Sequence, residues 1–338
     1  MNPLYVGIDV SSKINVVYLM LPNGDKHSSF SVANSQDGSA QLVKRILSAL
    51  TSHSLDTVLI GLEATSVYGD NLVYFLREDA TLAPFHRKIH VLNPKQVNKF
   101  KEAYSDLPKN DSVDSFVIAD CLRFGRINKE VYIGDYRYKA LQNLTRARYF
   151  AVCNLVKEKQ RFMNVLFKKY STMTQEKVFS DTFSTTALAV YDEFESAEAL
   201  ADMDLHELTA FIMEKGKNRF PDPDSVAKAI QKAARSSYRL PKTVNDSVNQ
   251  VLSISITSIK ALESQIKEFD KTIAAQMELL PDVLTSIPGI GPVYAAGIMA
   301  EIGDINRFEN HAQLAKYAGL AWTQYQSGGF EAQTTRLI

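Results

Sequence analysis

Leu4-Tyr5-Val6-Gly7-Ile8-Asp9-Val10, Asn15-Val16-Val17-Tyr18-Leu19-Met20-Leu21, the turn Pro22-Asn23-Gly24-Asp25 and the run 26–32 open the chain as three β-rich segments. Asn-Gly between two such segments is a strong hairpin signal. Outward from it the pattern changes period. A helix is predicted from about Ser35, with Leu42, Val43, Ile46 and Leu50 at helical spacing. A strand over 57–62, a helix over 67–77 and a strand over 88–92 follow. Antiparallel strands first and βα units afterwards predict an α/β sheet with a meander edge.

That order is the ribonuclease-H arrangement, in which the first strand is central and the fourth lies beside it. Later the character is helical. A long basic helix is predicted over 138–170 and a second over about 243–280, where Ile259, Leu262, Ile266, Phe269, Ile273 and Leu280 recur in steps of three and four. The two are expected to pair antiparallel as a coiled-coil stalk. Three domains result: residues 1–130, a stalk over 131–280 with an acidic insertion at about 171–239, and a small helical domain over 281–338.

The 338 residues carry 38 basic and 38 acidic side chains and are 45% hydrophobic, which excludes wholesale disorder. Cys121 and Cys153 are too few for a disulfide framework or a cysteine-based zinc site, so a reducing, cytoplasmic setting is expected. No basic n-region with a long apolar run begins the chain, and no later run approaches the length of a membrane span. The neutral total hides segregation. Residues 131–170 sum to +7, residues 171–214 to −9 and residues 215–242 to +6. Such blocks suit a basic surface for a polyanion beside an acidic module, or helix faces whose charges pair with each other.

Asp9 and Glu63 each end an apolar strand. Asp111 and Asp114, three apart, share a face if they open the helix that runs to Leu122. The predicted sheet brings all four together, and four carboxylates in one place repel unless cations neutralise them. Oxygen ligands select Mg²⁺, with Mn²⁺ as an alternative, and a pair of such ions can clamp the oxygens of phosphoryl transfer. Near the C-terminus, Ile287-Pro288-Gly289-Ile290-Gly291-Pro292 reads as a helix-hairpin-helix-like element, with Gly289 and Gly291 letting backbone amides approach a phosphate. A Gly-rich turn between packed helices is the competing reading. Gln326-Ser327-Gly328 has no Ser-His-Asp partners, so a nucleophilic Ser327 would need activation by a metal or its surroundings.

Gly7-Ile8-Asp9-Val10-Ser11, Glu63-Ala64-Thr65 with Tyr68, Val91-Leu92-Asn93-Pro94 with Gln96-Val97, and Lys109-x-Asp111-x-x-Asp114 resemble the DEDD transposases of the 110 family of insertion sequences. Pro288-Gly289-Ile290-Gly291, Glu301-Ile302-Gly303-Asp304, Arg307-Phe308, Leu314-Ala315-Lys316-Tyr317-Ala318-Gly319-Leu320 and Gln326-Ser327-Gly328-Gly329 resemble the second domain of the same family. The resemblance implies a RuvC-like domain whose DEDD carboxylates fall on Asp9, Glu63, Asp111 and Asp114. It places the serine that attacks a DNA phosphodiester, forming a phosphoserine intermediate, on Ser327. It further implies donor and target DNA, a structured bridge RNA that pairs with both, and dimers assembling into tetramers. Backbone contacts then matter more than base-reading side chains, and Arg146, Arg148, Lys157, Lys159 and Arg161 on the basic helix are the expected contact surface.

Asn110 and Ser115 depart from the Thr and Ala the family usually has there. Eleven residues follow Ser327, where the family continues into a basic stretch, so a truncated last domain is expected. Three alternatives stay open: a metal-dependent structure-specific nuclease or resolvase with Ser327 a bystander, a site-specific invertase, and a non-catalytic nucleic-acid-binding remnant.

Overall fold

In the computed structural model, strands β1 (Pro3–Val10), β2 (Ile14–Met20), β3 (Lys26–Ala33), β4 (Thr57–Glu63) and β5 (His86–Leu92) form one sheet in the order β3-β2-β1-β4-β5. The residues described are 2–64, 67–104, 110–125 and 135–321, with the backbone of 326–327 and 330–331. β1–β2 and β2–β3 pair antiparallel, whereas β1–β4 and β4–β5 pair parallel. The meander and the ribonuclease-H strand order are therefore both present. Gly24, at φ +94°, takes the left-handed turn conformation that the Asn-Gly signal requires.

Helices α1 (Gln36–Ser52), α2 (Asp70–Glu78), α3 (Pro94–Lys101) and α4 (Asp111–Phe124) complete the first of two compact units, residues 1–133. Leu4, Val6, Ile8 and Leu42, Ile46, Leu50 interdigitate in its main core, so β1 packs against the apolar stripe of α1. Against expectation, α2 begins at Asp70 rather than 67 and β5 begins at His86 rather than 88. β5 opens with the polar run His86-Arg87-Lys88, and its ladder to β4 takes in His86 and Arg87, which no local apolar pattern marks.

The second unit, residues 134–338, is built on α5 (Tyr136–Lys169). Five shorter helices follow, α6 (Ser171–Glu176), α7 (Thr185–Glu193), α8 (Ala197–Asp202), α9 (Leu205–Lys215) and α10 (Pro223–Ser236), before the long α11 (Lys242–Met277). α5 and α11 run antiparallel: Arg137 bonds the Leu279 carbonyl, Arg148 pairs with Asp270, Lys159 with Glu263 and Glu158 with Ser255. Val248, Leu252, Ile256 and Ile259 of α11 join Phe162 and Leu166 of α5 in the core of the α6–α10 insertion. At the opposite end, α12 (Pro292–Ile302) buries Ala296, Met299 and Ala300 against Leu141 and Ile273. α13 (His311–Tyr317) and a two-residue ladder, β6 (Gln326–Ser327) with β7 (Phe330–Glu331), end the fold. Among the described residues no helix is long and apolar enough to cross a membrane.

Candidate metal centre and family

In the β1–β4 register Gly7 lies opposite Gly61 and Ile8 opposite Leu62. The next residue of each strand, Asp9 and Glu63, therefore arrives at the same sheet edge. The paired glycines set how closely α4 can lie. A Cβ on Gly7 would stand 2.0 Å from the Ser115 carbonyl oxygen and 2.5 Å from the Ala119 amide nitrogen, so the helix backbone rests directly on β1. A Cβ on Gly61 would meet only side-chain methyls of Leu122 and Ile118, at 3.0–3.1 Å. These glycines were missed as a site feature in the sequence reading. A Gly inside an apolar strand does mark close backbone approach, but only the register shows that the two are neighbours.

Asn110 caps α4, its side chain accepting from the Val113 amide at 2.9 Å. A cap is a role Thr and Asn share, which accounts for that departure from the family pattern. Ser115 is fully buried, with its carbonyl oxygen against Gly7, and its hydroxyl donates to the Ser112 carbonyl, so the polar atom it has in place of a plain alanine methyl is satisfied. The cap fixes the first helical turn, and the dipole at that end favours the two carboxylates it carries, Asp111 and Asp114.

Asp9, Asp111 and Asp114 each bring one carboxylate oxygen to within 4.8 Å of the others. Glu63 stands outside that triad but within its field. Burial pushes the Asp9 carboxyl up to about 6, reinforced by repulsion from Asp111, Asp114 and Glu63 and opposed by Lys101. Burial raises the Glu63 carboxyl as well, again with Asp114 adding and Lys101 opposing. Lys101, at the end of α3, places its Nζ 2.6 Å from Asp114 Oδ1. It is the member of this site that the motif reading missed, since it lies outside the acidic pattern. An all-oxygen set that is partly desolvated and mutually repulsive fits a hard divalent cation.

The basic helix is more self-contained than its charge sum implies. Arg146 holds Glu301 at 2.7 Å, Arg148 holds Asp270 at 2.5 Å, Lys159 holds Glu263 at 2.8 Å, and Arg161 reaches Glu158 at 3.4 Å, while Lys157 is exposed. Farther along, a single 3-10 turn (Leu284–Ser286) precedes Gly289, in place of a first hairpin helix. Gly289 has φ +91°, and Gly291 caps α12 with no side-chain hydrogen bond. The Ser327 backbone lies in β6, and its side chain falls outside the described residues, as do Gly328 and Gly329.

Residues 6–170 match a transposase family of the DEDD, IS110 type, and residues 282–338 match the transposase IS116/IS110/IS902 family. A 44.8 kDa protein of insertion element IS116 from Streptomyces clavuligerus is 28% identical over 243 residues, covering 69% of this chain and 58% of its own. A 43.6 kDa protein of insertion element IS110 from Streptomyces coelicolor is 29% identical over 147 residues, covering 36% and 35%. The chain thus spans less than two thirds of the length of these relatives. Both ends of the sequence independently return one family, and the N-terminal match covers the sheet, α4 and every member of the acidic edge; this chain belongs to the IS116/IS110/IS902 family of transposases.

Proposed function

We propose that the protein cuts and rejoins DNA strands as an insertion-sequence transposase, holding Mg²⁺ or Mn²⁺ on Asp9, Asp111, Asp114 and Glu63. The observation that carries this reading is the convergence of three carboxylates from β1 and α4 within 4.8 Å, beside a fourth strand-end carboxylate. A divalent cation bound there supplies Lewis-acid stabilisation of charge on a phosphodiester. The residues' own part is positional. Asn110 fixes the helical turn that aims Asp111 and Asp114, Gly7 sets the distance from that turn to Asp9, and Lys101 offsets part of the negative charge of the carboxylates.

In this reading Ser327 is the nucleophile: its Oγ attacks phosphorus and displaces a 3′ or 5′ oxygen, which leaves with a proton, and the phosphoserine link conserves the bond energy for rejoining. Donor and target DNA are the substrates and a structured bridge RNA selects them. Gly289 and Gly291 contribute amides to a phosphate at the α12 N-terminus, α5 and α11 form a coiled-coil stalk, and active sites assemble from dimers into a tetramer. Lys157 and Arg161 are exposed basic-helix residues available for nucleic acid.

The test incubates the full-length gene product with Mg²⁺, flanking-region RNA and labelled junction DNA, beside Ser327→Ala and Asp9→Asn. A protein–DNA adduct on a denaturing gel that both variants lose is the expected result. Cleavage without an adduct in any protein identifies a hydrolytic nuclease instead, and RNA or DNA binding without cleavage identifies a binding remnant.

A further inference from the structure

The acidic insertion serves neither the carboxylate edge nor Ser327, and it contains a cavity of about 540 Å³. Its size falls in the range of small-molecule sites. The cavity lies where the charge along the chain reverses, between the start of α7 and the loop that follows α9. The charged residues lining it are Lys215, Lys217 and Arg219, all cationic, inside a segment whose residues 171–214 sum to −9.

Lys215 is already matched, 2.6 Å from Glu193. Lys217 and Arg219 are exposed and take part in no ion pair among the described residues. The loop holds them there by an unusual backbone. Lys217 and Asn218 adopt φ of +52° and +54° in succession, turning the chain back so that Arg219 follows on the cavity side. Gly216 permits this, because a Cβ there would stand 2.5 Å from the Phe220 ring and 2.8 Å from the Ile212 carbonyl.

Facing these cations are the hydroxyl residues Ser180, Ser184, Thr185 and Thr186. Ser184 caps α7 by accepting from the Ala187 amide at 3.3 Å, so the start of that helix forms part of the cavity lining. The remaining wall is apolar, formed chiefly by Phe179, Phe220 and Val226. Two unmatched cations, a set of donors and an apolar wall describe a ligand with a multivalent anion at one end and a flat apolar body at the other.

We infer that this cavity binds a nucleotide phosphomonoester, either a free nucleoside monophosphate or the 5′-phosphorylated end of a strand. Lys217 and Arg219 hold the phosphate and the Phe220 wall holds the base. The site would be independent of the divalent-cation edge and is separable from it by experiment.

The test titrates the full chain in EDTA by calorimetry with AMP, with a 5′-phosphorylated short oligothymidylate and with the same oligonucleotide lacking the phosphate. The expected result is saturable 1:1 binding of at least one phosphorylated probe. Lys217→Ala/Arg219→Ala should weaken it about tenfold or more, with Asp9→Asn unchanged. Binding of AMP alone assigns a free nucleotide, and binding of the phosphorylated strand alone assigns a strand end. The inference is overturned if neither phosphorylated probe saturates in the millimolar range, if the double variant binds as well as the parent, or if the unphosphorylated strand binds equally. Circular dichroism of the double variant guards against loss of fold, and both substituted side chains are exposed. Failure here leaves the adduct assay untouched, so the two readings fail separately.

Discussion

Replacing Gly7 by alanine should separate α4 from β1 and disable the acidic edge without touching any carboxylate. The added Cβ would sit 2.0 Å from the Ser115 oxygen and 2.5 Å from the Ala119 nitrogen, both backbone atoms that no rotamer change can move. Reaching even 3.0 Å requires the helix to retreat by about 1 Å. Overpacking of this kind costs about 1–3 kcal/mol, and a rigid backbone obstacle puts Gly7→Ala at about 3 kcal/mol or more. For a unit of this size that is a fall in melting temperature of roughly 10 °C. Hydrogen exchange followed by mass spectrometry on peptides from β1 and α4 would localise the loss, and Mn²⁺ titration would report the separation of Asp9 from Asp111 and Asp114. Gly61→Ala is the internal control, since it meets only movable methyls at 3.0–3.1 Å and should cost about 1 kcal/mol. If Gly7→Ala melts within a degree or two of the parent and binds Mn²⁺ equally, the close-approach reasoning is wrong.

In metal-free buffer the carboxyl of Asp9, raised to about 6, keeps in the folded protein a proton that the unfolded chain has released. Stability should therefore decline as pH rises from about 4 to about 6, Asp9→Asn should flatten that slope in a melting series, and a pH-independent parent would refute it. Lys101→Met removes the cation beside Asp114 and should tighten Mn²⁺ binding by roughly tenfold, measured by calorimetry; unchanged or weaker binding would assign Lys101 a different role. Lys169, nearly fully buried, donates to the Tyr191 and Phe194 carbonyls at 2.9 and 2.5 Å. Lys169→Met should cost about 2–3 kcal/mol of insertion stability in urea unfolding, and a neutral result would show that those carbonyls find other donors.

The sheet was legible because its signals are local: alternating apolar runs, one Asn-Gly turn, and strand-to-helix changes of period. The positions of Asp9, Asp111 and Asp114 followed from them, since strand order and a three-residue helical spacing suffice to bring such residues to one edge. Lys101 was not legible, because its approach to Asp114 depends on how α3 packs on α4 rather than on any motif. The basic helix shows the opposite limit. Its +7 is a property of a segment, yet the acids that match Arg148 and Lys159 lie more than a hundred residues later in α11, beyond the reach of any local sum. The Gly7–Gly61 pairing was hidden for the same reason, being a fact about register.

The antiparallel pairing of α5 with α11 also sets a timetable for synthesis. When α5 has emerged from the ribosome, the α11 residues that join its far end in one core, Val248 to Ile259, are still about 80–90 codons away, a wait of roughly 4–18 s at ordinary elongation rates. During that interval Phe162, Leu166 and Tyr170 have only the nascent insertion to pack against. The insertion thus acts as a built-in escort for the leading helix, covering its sticky end until the returning helix takes over. Shortening it would speed the closure of α11 on α5 but leave that end bare to water for the time that remains.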